Sequence, residues 1–225
     1  MNKFFPYCYH IDEQGLVLSK DQIVLIACPP GLISIVIPDT VTAIGKAACE
    51  GCESLESVKI PKRVTSIGDH AFASCFNLKS INIPSSVRSI GNSAFSTCCS
   101  LTSIKIPKGV TSIGSHAFYE CKSLESVTIS ESVKSIEYSA FSGCEKLKSV
   151  EIAKGVTLIG DWAFYECKSL EYVTVPSSVI SFGNHVFEQC PSLDYVTIPD
   201  LSLADIKIPK DKFNPTVFND YKKKK

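Results

Sequence analysis

Cysteine is the residue type in this chain with the most chemistry to offer: there are eleven of them in 225 residues. Seven, namely Cys52, Cys75, Cys98, Cys121, Cys144, Cys167 and Cys190, follow one another at a constant interval of 23 residues. A thiol repeated in this way reads first as a column of small apolar side chains, since free cysteine is among the most buried residues. Disulfides between neighbours in the column are the rival. A spacing of about 4.8 Å lies within the permitted Cα separation, but parallel side chains fit the S–S dihedral poorly. Cys49-Glu50-Gly51-Cys52 has the spacing of a zinc half-site, yet no second pair matches it. Cys99, beside Cys98, is expected to point outward or sideways and to be the most reactive thiol. His70, His116 and His185 share one position of the interval, and His10 lies apart from them. His70 and His116 stand two intervals apart, about 10 Å at sheet spacing, too far to share a metal. No Ser/His/Asp grouping, glycine-rich phosphate loop or paired carboxylates emerge. No catalytic residue, cofactor or metal site is therefore assigned, and an enzyme is not expected.

The elements that place these residues come from one unit. Leu55 to Asn77 reads LESVKIPKRVTSIGDHAFASCFN, and it recurs in step from Leu78, Leu101, Leu124, Leu147 and Leu170. A divergent copy begins at Leu32 and a truncated one at Leu193. A fixed period in this range with an L-x-x-hydrophobic-x-hydrophobic core predicts a leucine-rich repeat solenoid. In LESVKIP, Leu55, Val58 and Ile60 alternate with Ser57 and Lys59, the pattern of a half-buried strand. Stacked copies then form a parallel sheet, with Pro61 ending the strand. Ser130 and Ala153 replace that proline in two copies, where slightly longer strands are expected. Gly68 recurs as Gly45, Gly91, Gly114, Gly160 and Gly183, which suggests a turn with positive φ; Glu137 breaks the series. Ala71, Phe72 and Cys75 are spaced as the inner face of a single helical turn. Phe72 repeats as Phe95, Phe118, Phe141, Phe164 and Phe187, a stacked aromatic column. Cys49 takes that place in the first copy and leaves room for another part of the chain.

Three segments follow. Residues 1–31 are read as an N-terminal capping hairpin, with strands around Leu16–Leu18 and Ile23–Ile26 closed off by Cys28-Pro29-Pro30-Gly31. Residues 32–199 are the repeats. Residues 200–225 are a C-terminal cap carrying Phe213, Val217, Phe218 and Tyr221, followed by the solvated run Lys222–Lys225. Acidic and basic side chains balance at 23 each, which argues against a nucleic-acid surface. No apolar run of about 18 residues encodes a membrane span. The start, MNKFFPYCYH, lacks the apolar stretch of a signal peptide, so the chain is cytosolic, processed, or exported by another route. The oligomeric state is open, with a monomer as the default.

The outward strand positions form columns. One reads Ser57, Ser80, Ser103, Ser126, Ser149, Tyr172, Tyr195. Its neighbour ends in Glu151, Thr174 and Thr197, and the flanking column ends in Glu171 and Asp194. Two adjacent tyrosines rimmed by Glu151, Glu171 and Asp194, beside Thr174 and Thr197, make the candidate partner-binding patch. The alternative is that the tyrosines shield the last coils. Tyr119, Tyr138, Trp162 and Tyr165 offer a second, weaker patch on the opposite side.

The string IPxxVTSIGxxAFxxCxxLxSVxIP resembles the BspA-type leucine-rich repeat, also called the treponemal class, over roughly residues 32–199. The segment GLVLSKDQIVLIACPPG resembles one often found before such repeats. The resemblance implies an α/β repeat solenoid, a right-handed leucine-rich repeat superhelix of 23-residue coils. Its concave side is a parallel β-sheet, with single-turn helices on the other. It further implies a non-catalytic binding module, a surface or secreted adhesion protein that binds host extracellular-matrix or cell-surface proteins such as fibronectin or fibrinogen. The alternative is an intracellular scaffold for protein–protein interaction, which the missing signal and reduced thiols would favour.

Overall fold

The computed structural model describes residues 9–198 and the backbone of 206–209; the side chains of 195, 198 and 206–209 are outside this set. The chain is a β-solenoid of parallel coils with two short strands in each. It begins with β1 (Tyr9–Ile11), β2 (Val17–Ser19) and β3 (Val24–Ala27). Two interleaved series follow. The LxSV strands are β4 (Ser34–Val36), β6 (Ser57–Lys59), β8 (Ser80–Ile81), β10 (Ser103–Ile106), β12 (Ser126–Ile129), β14 (Ser149–Glu151), β16 (Tyr172–Thr174) and β18 (Tyr195–Ile198). The VTSI strands are β5 (Ala43–Ile44), β7 (Ser66–Ile67), β9 (Ser89–Ile90), β11 (Ser112–Ile113), β13 (Ser135–Ile136), β15 (Leu158–Ile159) and β17 (Ser181–Phe182). A last strand, β19 (Ile206–Pro209), pairs antiparallel with β18. The rest of the expected C-terminal cap and the lysine run lie outside the described residues.

Within both series the pairing is parallel and places each repeat letter opposite itself, as in Ser34↔Ser57 and Ser66↔Ser89. This register turns sequence letters into surface columns. The VTSI strands join β1, β2 and β3 in a ten-stranded sheet. The LxSV strands, expected as one continuous sheet, instead form a three-stranded piece, β4-β6-β8, and a six-stranded piece from β10 to β19. Across the break Thr102 N–H still reaches the Lys79 carbonyl at 3.4 Å, the same length as Lys148 to Glu125 inside the longer piece, so the coils stay stacked there. Nor do Ser130 and Ala153 lengthen their strands. β12 and β10 both have four residues although Pro107 follows β10, and β14 has three. Ser130 Oγ donates to the Pro107 carbonyl at 2.9 Å and so maintains the turn without a proline ring.

The expected single-turn helices are replaced by linked turns, and the described residues contain no helix. A helix would send every N–H four residues back. Here alternate N–H groups point along the stack instead. His70, Phe72 and Ser74 donate to Asn92, Ala94 and Ser96 of the next coil, each at 2.8 Å. Between them, Ala73 and Cys75 donate three residues back, to His70 at 3.0 Å and Phe72 at 3.3 Å. Two left-handed residues per coil make this alternation possible, with φ of 56° at His70 and 58° at Ser74. The His70 position is left-handed in all seven coils, from Ala47 to His185, and includes Trp162 at φ 55°.

The recurrent glycines are thus not the positive-φ positions that their type suggested; none of Gly45, Gly68, Gly91, Gly114, Gly160 and Gly183 has positive φ. They are sites of close backbone approach. A Cβ on Gly68 would lie 2.8 Å from the Gly45 carbonyl carbon, and one on Gly114 would lie 2.7 Å from that of Gly91.

A single apolar core runs along the solenoid from Leu16 to Val196. Phe72, Phe95, Phe118, Phe141 and Phe164 stack in it with centroids 5.2 to 5.4 Å apart and rings within 7° of parallel. Phe187 continues the stack at 5.9 Å. At the other end, Cys49 holds the aromatic position and is disulfide-bonded to Cys28, 21 residues earlier. Leu16, Leu18 and Leu25 of the N-terminal strands are fully buried, and β3 pairs with β5 so that Leu25 stands beside Ile44. Buried residues of the N-terminal segment and the Cys28–Cys49 bridge thus lie at that end of the core.

Candidate binding faces

Period-two alternation sorts the strand residues, placing Val150, Val173 and Val196 in the core and their neighbours on the surface. Parallel register then aligns Ser149 with Tyr172, Glu151 with Thr174, and Thr174 with Thr197. Tyr172 is 58% exposed at the end of the serine column. Thr174 and Thr197 are half-buried beside it, and Glu151, Glu171 and Asp194 are exposed. Tyr195 is in β18, one residue before Val196; its side chain is outside the described residues. None of Glu151, Glu171 and Asp194 is ion-paired among the described residues, whereas upstream in the same flanking column Glu56 meets Lys79 at 2.8 Å. A phenol ring among unpaired carboxylates and hydroxyls can stack and hydrogen-bond. On an open strand face it does not enclose a reacting group.

The column thiols are buried, and burial raises the pKa values of Cys52 to Cys167, Cys75 to about 12 with a further push from the Cys52 charge. They are poor nucleophiles and poor ligands. Cys99 is half-buried, with its sulfur 3.8 Å from the Glu120 carbonyl, and burial raises its pKa as well. Among the described residues no three His, Cys, Asp or Glu side chains are grouped as a metal site would need. At the N-terminal end, the Gln14 side chain accepts from Val36 N–H at 3.0 Å and donates to the Val36 carbonyl at 2.8 Å. This covers part of the free edge of β4, as edge strands require.

On the turn side, four aromatic side chains from consecutive coils touch in series. The ring centroids are 5.1 Å apart for His116–Tyr138, 5.4 Å for Tyr138–Trp162 and 5.6 Å for Trp162–His185. Tyr119 packs edge-on against His116 at 5.5 Å. Sequence reasoning places Tyr138 and Trp162 in one patch with Tyr119 and Tyr165, but it treats the two histidines apart from that patch. Tyr138 occupies a different repeat letter from the other three, so a reading by columns does not join them.

With this geometry in place, the family model for the BspA-type leucine-rich repeat region matches residues 27–133 and 89–215, with six copies. The chain belongs to the BspA-type leucine-rich repeat family. Solved structures share the fold of this BspA-type chain. A leucine-rich repeat protein from Bacteroides ovatus is 31% identical with a TM-score of 0.65, over 87% of this chain and 64% of that one. A leucine-rich cell surface protein from Faecalibacterium prausnitzii is 30% identical with a TM-score of 0.56, over 80% of this chain and 60% of that one. The T. pallidum leucine-rich repeat protein is 28% identical with a TM-score of 0.58, over 80% of this chain and 76% of that one. The BspA-type chain thus spans less than two thirds of the first two. No curated protein matches it. Such repeats are generally non-catalytic binding modules, and no enzyme family matches. No helix among the described residues is long and apolar enough to cross a membrane.

Proposed function

We propose that this BspA-type repeat is a surface adhesion module that binds a host extracellular-matrix or cell-surface protein, of the fibronectin or fibrinogen kind, through the LxSV strand face. The observation that carries the reading is Tyr172, an aromatic side chain more than half exposed on a regular strand face, with Glu151, Glu171 and Asp194 around it. Tyr195, Thr174 and Thr197 complete the patch. Exposed tyrosines on rigid backbone are frequent binding hot spots. The Cys28–Cys49 disulfide favours an oxidising location, and hence display outside the cytoplasm over the scaffold reading. The Faecalibacterium relative described as a cell surface protein points the same way.

The test is binding of the full chain to immobilised fibronectin and fibrinogen, compared with Tyr172→Ala combined with Tyr195→Ala. Loss of about 2 kcal/mol, roughly 30-fold in Kd, is expected at an unchanged melting temperature. Unchanged binding removes this face as the site. Antibody staining of native cells only after permeabilisation would return the molecule to the intracellular scaffold class.

A further inference from the structure

We propose that the His116–His185 ladder is a second binding site, independent of the Tyr172 face, and that its ligand is an extended segment of a partner protein bearing arginine or lysine. The ladder crosses four consecutive coils, about 14 Å at sheet spacing. Tyr138 and Trp162 in its middle are 39% and 36% exposed, so ring surface is open to a ligand. Indole and phenol faces are negative in their quadrupole and attract guanidinium and ammonium groups. An extended peptide presents like-facing side chains about every 6.8 Å, so two of them fall within the ladder's length.

Charge selects the class of ligand. Glu120, Glu166 and Glu188 lie on the same turn side. The Tyr119 phenol is raised above its ordinary pKa, chiefly by its hydrogen bond to Glu120 and then by burial and by the charges of Glu120 and Glu166. Tyr165 is raised by loss of solvent and then by the charges of Glu166 and Glu188. The lysines of this region face Glu145 and Glu120: Lys168 meets Glu145 at 3.2 Å, and Lys122 lies between Glu120 at 3.9 Å and Glu145 at 3.8 Å, which partly offsets Glu120. Among the described residues, Glu166 has no lysine or arginine within ion-pair distance, and the ion-pair contact of Glu188 is with His185, at 2.6 Å. Open aromatic faces beside Glu166 and Glu188, which no described lysine or arginine pairs, suit a cationic side chain. A neutral sugar would use the rings and gain nothing from the charge.

Trp162 is the only tryptophan in the chain, so emission excited at the red edge of its absorption, where tyrosine does not absorb, reports on the ladder. The full chain is titrated with hexa-arginine, with hexaglutamate and cellohexaose as comparison ligands. Hexa-arginine is expected to give a saturable change that weakens as salt is raised. Combining Glu166→Gln with Glu188→Gln should weaken it about tenfold, at an unchanged melting temperature. Tyr172→Ala should leave it untouched, which separates this site from the matrix-binding face. No response to hexa-arginine, a response to cellohexaose of equal strength, or full binding in the double glutamine variant would overturn the proposal.

Discussion

The thiol of Cys75 donates to the carbonyl oxygen of Cys49 at 3.1 Å, from one coil to the coil before it. The contact recurs down the column. Cys98 reaches Phe72 at 3.2 Å, Cys121 reaches Phe95 at 3.1 Å, and Cys144, Cys167 and Cys190 reach Phe118, Phe141 and Phe164 at 3.1 to 3.3 Å. The column residue is thus a small apolar filler that also carries one weak donor.

These thiols should resist modification in the native protein. With Cys8, outside the described residues, replaced by serine, a maleimide reagent should label only Cys99 without denaturant. Because burial raises the Cys99 pKa, labelling should be slow near about pH 7 and accelerate toward about pH 9, as thiolate forms. Mass mapping after brief labelling checks this, and rapid modification of native Cys121 would contradict the buried column.

Phe118 stacks between Phe95 and Phe141, so its loss interrupts the aromatic column in the middle. Phe118→Ala should cost about 3–5 kcal/mol in chemical denaturation, and Phe118→Leu considerably less. Equal effects from the two would mean that the stacking geometry contributes little beyond filled volume.

Gly114 tests why glycine recurs. If close approach is the reason, Gly114→Ala should destabilise by about 1–3 kcal/mol, and Gly114→Asn should be no better. If left-handed geometry were the reason, Asn would recover much of the loss. The reverse change, Glu137→Gly, should be nearly silent, because that coil already accommodates a side chain. Denaturation midpoints of the three variants decide the matter.

The Cys28–Cys49 bridge lies at the N-terminal end of the core. Cys28→Ser should lower stability by about 2–4 kcal/mol, the usual effect of a disulfide closing a loop of this size. Hydrogen exchange at Leu18 and Leu25 should quicken more than at Phe141 or Phe164, since solenoid contacts reach only neighbouring coils. Uniform loss of protection along the chain would instead indicate one cooperative unit.

Much of this was legible because repetition averages out noise. Phe72 and Cys75 recur in step, so their burial could be read without coordinates, as could the outward position of Tyr172. What escaped was whatever depends on backbone conformation rather than on residue type. Ala71, Phe72 and Cys75 have helical spacing, but the φ values at His70 and Ser74 redirect alternate N–H groups to the next coil. One clue was present: histidine recurs at that position and is enriched in left-handed conformations. Cys28 was missed as the partner of Cys49 because it lies outside the repeat, where no periodic signal marks it. The break between β8 and β10 coincides with a change of residue type, Asn82 where the neighbouring coils have Lys59 and Lys105, and asparagine is disfavoured in strands.

The alternating N–H groups of the turn side have a consequence for how such a molecule can change. Each coil presents to the next the same donors and acceptors that it receives from the one before. Excising or duplicating one whole unit therefore restores the backbone hydrogen bonds across the cut. The chain can be lengthened or shortened like a ruler, in steps of one mark, without re-solving the folding problem. A row such as Ser149–Tyr172–Tyr195 can then be moved, widened or copied as a cassette, so the reach of a binding face is set by counting units rather than by redesigning a core.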